Sequence, residues 1–216
     1  MRQVDKIEKP LLEAIEAYRA KRYGEAEAGA DRILKQEPRH AGTLQLKALL
    51  AHLRGDSDAA DAAVTASLAK RPGHAATLKI AGQVASARFA AGHIAQEAGR
   101  TADAIAAFRR AIALDVKLAE AWFGLGLALQ DIKDYAGAAA AFGHVVALRP
   151  GDAKAQVNHA VSLQQTGDLD GALASYRAAY AKDSSTFGAI AQSLAAASTG
   201  LLVLDAQRLR NRLAGG

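Results

Sequence analysis

Apolar residues recur along this chain at spacings of three and four, the period of one face of a helix. Trp122, Leu125 and Leu129 mark such a face, and Ala138, Phe142, Val145 and Val146 mark a second. The pattern predicts two amphipathic helices, joined by the short polar turn Asp131-Ile132-Lys133-Asp134. The equivalent turns elsewhere carry Gly55, Gly99 and Gly167, residues suited to a tight reversal. Pro38, Pro72 and Pro150 each stand where a second helix should end, as proline does just beyond a helix terminus.

The helix pairs repeat. Ala104, Ala138 and Ala172 lie 34 residues apart, and Phe108, Phe142 and Tyr176 keep the same step. So do Gly92, Gly126 and Ala160, and, nearer the N-terminus, Ala26 with Ala60 and Pro38 with Pro72. Small residues at Gly126 and Ala138 let two helices cross closely, leaving room beside them for Trp122 and Phe142. No single pair can bury its apolar face alone, so stacked neighbours must supply the core.

The unit Trp122, Leu125, Gly126, Leu129, then Ala138, Phe142, Val145 and Pro150, resembles the tetratricopeptide repeat, W-x2-L-G-x2-Y followed by A-x3-F and P. Leu129 departs from that pattern, standing where tyrosine is usual. On this resemblance repeats are expected at 7–40, 41–74, 75–118, 119–152 and 153–186, with 187–216 as a C-terminal capping helix and tail. The first two repeats match mainly in their second halves. The implied fold is all-α, a right-handed superhelical solenoid of antiparallel helix pairs.

One interval breaks the period. Ala60 to Ala104 is 44 residues, ten more than the repeat. Both Leu78-Ala81-Gly82-Ala85 and Arg88-Ala91-Gly92-Ala95 fit the first-helix pattern, and the stretch 75–98 holds neither proline nor a cluster of turn formers. A first helix lengthened by about ten residues is expected rather than a loop, dividing repeats 1–2 from repeats 3–5 with different groove directions.

Composition narrows the function. Alanine supplies most of the apolar half of the chain and only 5% is aromatic, which suits close-packed helices. With no cysteine there can be no disulfide, zinc–cysteine site or thiol nucleophile. The mixed charges of Met1–Lys6 are not followed by an apolar core, so no signal peptide is expected, and no apolar run is long enough for membrane insertion. A cytoplasmic protein is expected. The net charge of +5 is spread evenly, 15 basic against 12 acidic side chains in 1–98 and 12 against 10 in 99–216. Only Arg208, Arg210 and Arg212 are locally basic, so nucleic acid is not the expected partner.

After Thr186 the first-helix pattern restarts with Phe187, Ile190, Leu194 and Ala197 and stops at Gly200, as a capping helix would. Leu201-Leu202-Val203-Leu204 follows, then Asp205 in an N-cap-like position before a last short helix. Four consecutive apolar residues need burial, expected on the last repeat; the alternative is docking on a partner or a second copy, giving a homodimer through the tail.

No catalytic constellation emerges. His40 and His74 are one period apart at the turns between repeats, and His52, His93, His144 and His159 form no H-E-x-x-H motif. Phosphate-binding glycine loops and a G-x-S-x-G elbow are missing, so no enzyme, metal or cofactor is expected.

In the tetratricopeptide family ligands usually lie on the concave surface lined by first helices. Carried over by position, that surface here is Leu49 and His52; Phe89, His93 and Gln96; Phe123, Leu127 and Gln130; and Lys154, Val157, Asn158, Val161 and Gln164. Apolar side chains edged by amides suit a peptide or helix. Some family members grip acidic C-terminal peptides through lysine, arginine and asparagine in successive first helices. Only Lys154 and Asn158 match that set, so this specificity is not expected. The expected function is a non-catalytic protein–protein interaction adaptor or scaffold that binds a protein or peptide partner. Alternatives are a recruiting module for a separate transferase-type enzyme and an RNA-binding helical repeat.

Overall fold

The computed structural model describes residues 5–195 and 206–214. Among them run twelve α-helices and one short 3-10 turn, Ser184–Thr186. The helices are α1 (Asp5–Arg19), α2 (Tyr23–Gln36), α3 (Ala41–Leu53), α4 (Ser57–Lys70), α5 (Ala75–Glu97) and α6 (Thr101–Leu114). They continue as α7 (Ala119–Asp131), α8 (Tyr135–Leu148), α9 (Ala153–Thr166), α10 (Leu169–Lys182), α11 (Phe187–Ala195) and α12 (Ala206–Leu213). Of the described residues, those up to 88 with 113–115 make one compact unit, and 89–112 with those from 116 make the other. Consecutive helices pack as pairs, α1 on α2 and α3 on α4 in the first unit, α7 on α8 and α9 on α10 in the second. The fold is an all-α helical repeat.

The turn inside each pair is one device used five times. Its central residue is left-handed: Lys21, Gly55, Gly99, Lys133 and Gly167, all with φ between 60° and 88°. The amide following each of these reaches back to the carbonyl five residues earlier, Asp134 to Leu129 at 2.9 Å and Asp168 to Leu163 at 3.0 Å, closing the orphaned end of the first helix. In three turns the same residue then caps the second helix. Asp56, Asp134 and Asp168 accept from the amides of Ala59, Gly137 and Gly171 at 3.0, 2.9 and 2.9 Å. Glycine at 167 adopts this geometry freely, whereas Lys133 holds its side chain against the carbonyl that the left-handed region crowds. Lys133→Gly is therefore expected to stabilise the second unit by about 0.5–1 kcal/mol, the relief of crowding less the entropy glycine adds to the unfolded chain. Thermal unfolding checks it; a lowered melting temperature would contradict the strain.

Within the first unit Ala48, Ala51, Ala60 and Val64 pack with Ile80, Ala81 and Val84, while Ala14, Ala17, Ala26 and Ala30 pack with Leu46 and Leu50. Alanine fills these helix crossings, in keeping with its abundance. In the second unit aromatic rings take over. Phe108, Phe142 and Tyr176, the 34-residue column, are all 0% exposed.

Glycines admit these rings. A Cβ at Gly126 would sit 2.7 Å from Phe142 ring carbons, and one at Gly92 would sit 2.6 Å from Phe108. At Gly82, in the alternative register of the same long segment, nothing lies within 4 Å. Gly126→Leu is expected to cost about 1–3 kcal/mol by overpacking, since the ring has no open side to retreat to. Combining it with Phe142→Ala should recover part of the loss, because the new side chain fills the vacated space. Urea denaturation of the two single variants and the double variant tests this, and strict additivity would disprove the close approach.

Helix α5 runs 23 residues without a break. Ile80, Ala81 and Val84 belong to the core of the first unit, and Ala95 to that of the second, where Phe89 packs against it. At the other end of the second unit, Ile190 and Leu194 of α11 and Leu209 and Leu213 of α12 bury themselves around Tyr176. The Arg177 guanidinium donates to the Arg212 carbonyl at 2.8 Å, and Arg210 lies 4.4 Å from the Phe187 ring centroid. The apolar run Leu201–Leu204, with Asp205, Ala197 and Gly200, lies outside the described residues.

Candidate functional site

The second unit contains a cleft of about 360 Å³. Phe89, His93 and Gln96 reach it from α5; Phe123, Gly124 and Leu127 from α7; Val145 and Arg149 from the end of α8; Asp152 and Lys154 from the start of α9. Its floor is aromatic and aliphatic. Phe89 leans on Phe108 with centroids 5.9 Å apart, and Phe123 meets the edge of Phe142 at 5.4 Å and 73°. The buried Phe108 and Phe142 rings hold the partly exposed Phe89 and Phe123 in place, so the floor is preorganised rather than assembled on contact.

The rim is polar. His93 stands edge-on to Phe89 at 6.1 Å and lies 3.3 Å from the Glu97 carboxylate. Gln96 reaches the Asp131 carboxylate at 3.5 Å. Arg149 donates to Glu120 and holds that carboxyl below its ordinary value. Both partners are well exposed, so the pair adds little stability and serves chiefly to fix two side chains at the edge. The Lys154 ammonium sits 5.3 Å from the Phe123 centroid, a cation over a ring face.

Six of the residues expected at a groove thus come together here: Phe89, His93, Gln96, Phe123, Leu127 and Lys154. The other seven do not line it. Leu49 and His52 belong to α3 in the first unit, where Leu49 packs against the core. Val157 and Val161 pack on the cluster around Tyr176. Gln130 donates to the Ser162 hydroxyl at 2.9 Å, and Asn158 turns its amide onto the Lys154 carbonyl at 2.9 Å.

Gln164 is a correction, a core residue and not a surface one, at 2% exposure. Its Oε1 accepts from the Tyr176 hydroxyl at 2.9 Å and its Nε2 donates to the Ser193 carbonyl at 3.2 Å. The column holding Phe108 and Phe142 has tyrosine at 176, and a buried hydroxyl needs an acceptor. Glu120, Arg149 and Asp152 were not foreseen, because they come from the first turn of α7 and from the connection between α8 and α9, while the family pattern points to the middle of first helices.

Among the described residues no group of three histidine, aspartate or glutamate side chains converges to hold a metal ion, and no helix is long and apolar enough to cross a membrane. The family model described as tetratricopeptide repeat matches residues 89–153 and again 130–189, a stretch that includes every residue lining the cleft. This chain is a tetratricopeptide-repeat protein.

No curated protein matches it in sequence. Among solved structures, MamA is 18% identical, with 85% of this chain and 95% of that chain covered and a TM-score of 0.44. A thermophilic tetratricopeptide-repeat protein from Thermus thermophilus is 22% identical over 88% of this chain and 99% of its own, with a TM-score of 0.40. YrrB, a tetratricopeptide-repeat protein with an unusual peptide-binding site, is 18% identical over 81% and 85%, with a TM-score of 0.41. Tetratricopeptide-repeat proteins are protein–protein interaction modules, and this tetratricopeptide-repeat protein is one by its fold.

Proposed function

We propose that this protein is a non-catalytic adaptor that holds a short segment of a partner protein in the cleft over Phe89, Phe123 and Leu127. The observation that carries this reading is the floor itself, partly exposed aromatic and aliphatic side chains from neighbouring first helices, fixed from below by buried Phe108 and Phe142. Apolar surface of this kind gains by being covered, and a rim of amide, imidazole and charged groups can satisfy a bound backbone. The volume lies at the small end of ligand pockets, which fits one or two side chains of an inserted segment.

Affinity capture from a lysate of the source cells tests the proposal, comparing wild type with Phe123→Glu/Leu127→Glu, both checked by circular dichroism. A protein retained by wild type and lost by the folded variant is the expected result. Replacing the apolar floor by two carboxylates, of which only the one at 123 has a cation nearby in Lys154, should weaken binding by about tenfold or more, desolvation of the other being costly. Retention of the same protein by both would place binding elsewhere on the molecule and end this reading.

A further inference from the structure

We infer that His159 makes the packing of α9 between α8 and α10 acid-labile, so that this wall of the cleft loosens when the imidazole takes up a proton. The wall has this property whatever the cleft binds. His159 follows Leu125 by 34 residues, so an ionisable ring stands in a column whose counterpart is a core leucine, 6% exposed. The ring is partly buried, and the helices packed on either side of α9 are α8 and α10. Its Nδ1 lies 3.1 Å from the Ser175 hydroxyl of α10. Its Nε2 faces Gly143 of α8, 3.5 Å from where a Cβ there would stand.

A hydroxyl serves the neutral ring as donor or acceptor, but glycine brings no side chain to receive a second N–H. Asp168, in the turn before α10, is the charged group that acts on the ring, and it favours the protonated form. That carboxylate also caps α10, its Oδ1 accepting from the Gly171 amide at 2.9 Å. His144, next to Gly143 on α8, stacks instead on Trp122 with centroids 4.0 Å apart. Burial outweighs Asp168 and pushes the His159 imidazole below its ordinary value. The folded chain therefore binds this proton less readily than the unfolded one. The stabilisation is complete above pH 6.5, the ordinary histidine value, and is lost as pH falls through the lower folded value. A proton taken up there draws water toward the ring, between the helices whose ends bring Arg149, Asp152 and Lys154 to the cleft.

Urea unfolding followed by Trp122 fluorescence tests this on the whole chain at about pH 7.5 and about pH 5, in wild type, His159→Leu and Gly143→Asp. On acidification the wild-type midpoint should fall further than that of His159→Leu, which keeps every other titrating group. Gly143→Asp sets a carboxylate beside Nε2, so its midpoint should also fall less than that of wild type. Hydrogen exchange, corrected for the intrinsic effect of pH, should show the added opening of wild type in α8, α9 and α10 and not in α6. Equal falls in wild type and His159→Leu would overturn the inference, as would an acid-induced opening spread evenly over the second unit. A His159 ring that titrates by NMR at or above pH 6.5 in folded wild type would overturn it as well.

Discussion

Phe108→Ala is expected to lower the unfolding free energy of the second unit by about 3–5 kcal/mol, the cost of truncating a fully buried phenylalanine. The ring is 0% exposed, wedged between Gly92 on α5 and Gly124 on α7. A Cβ at either glycine would come within 2.6 and 2.7 Å of it. Both neighbours are backbone at the point of contact, and a helix backbone cannot collapse into the void as a flexible side chain could. The upper part of the range is therefore expected. Trp122, the chain's one tryptophan, packs against the same cluster, so its fluorescence in urea reads the loss directly. Phe89 leans on Phe108, so the cleft should lose affinity for a bound segment as well. A change within the ~0.5 kcal/mol of an ordinary surface substitution would show that Phe108 does not wedge these helices.

Stability should also fall steeply between pH 10 and pH 12, through Tyr176. Burial pushes its hydroxyl up from the ordinary 10 to about 12. Unfolded chains release this proton near pH 10, while folded ones keep it until about pH 12, so across that window the folded state binds more protons and loses stability as pH rises. The contribution is complete below pH 10 and gone above about pH 12. A separation of two pH units is worth about 2.7 kcal/mol, at roughly 1.36 per unit. Other tyrosines and the lysines titrate in the same range, so the measurement is the difference between wild type and Tyr176→Phe. At neutral pH the variant should be less stable by about 1–3 kcal/mol, because the Gln164 carbonyl oxygen loses its donor inside the core. Raising the pH should shrink that gap and then reverse it. A constant gap from pH 8 to pH 12 would mean that the phenol ionises freely.

Several features were legible in the residues alone. Spacings of three and four identify helices because a buried face must recur once per turn, whatever covers it. The 34-residue step identifies the repeat because every unit meets its neighbour through the same column. Gly126 could be seen as a crossing point and Asp131–Asp134 as a turn, since small size and turn chemistry belong to the residues themselves. Less legible was the left-handed conformation of Lys21 and Lys133. Their glycine counterparts announce it, whereas a lysine adopts it only because the pairs on either side leave no other path.

The candidate site divides in the same way. Phe123 and Leu127 could be placed on an inner face by position, but which of those residues share a cleft depends on where loops and neighbouring helices end. Arg149 and Asp152 enter it from a connection between helices, and no periodicity marks them. Gln164 occupies the same repeat position as Gln130, yet one is in the core and the other is bonded to Ser162. A hydroxyl on the next helix decides that difference. By itself the sequence determined helix pairs, their period and their small-residue crossings, because these follow from each residue's own volume, polarity and backbone preference. Only the tertiary structure decided which side chains converge, which charges are paired and which amides are spent, because these depend on distances between groups that the chain keeps far apart until it folds.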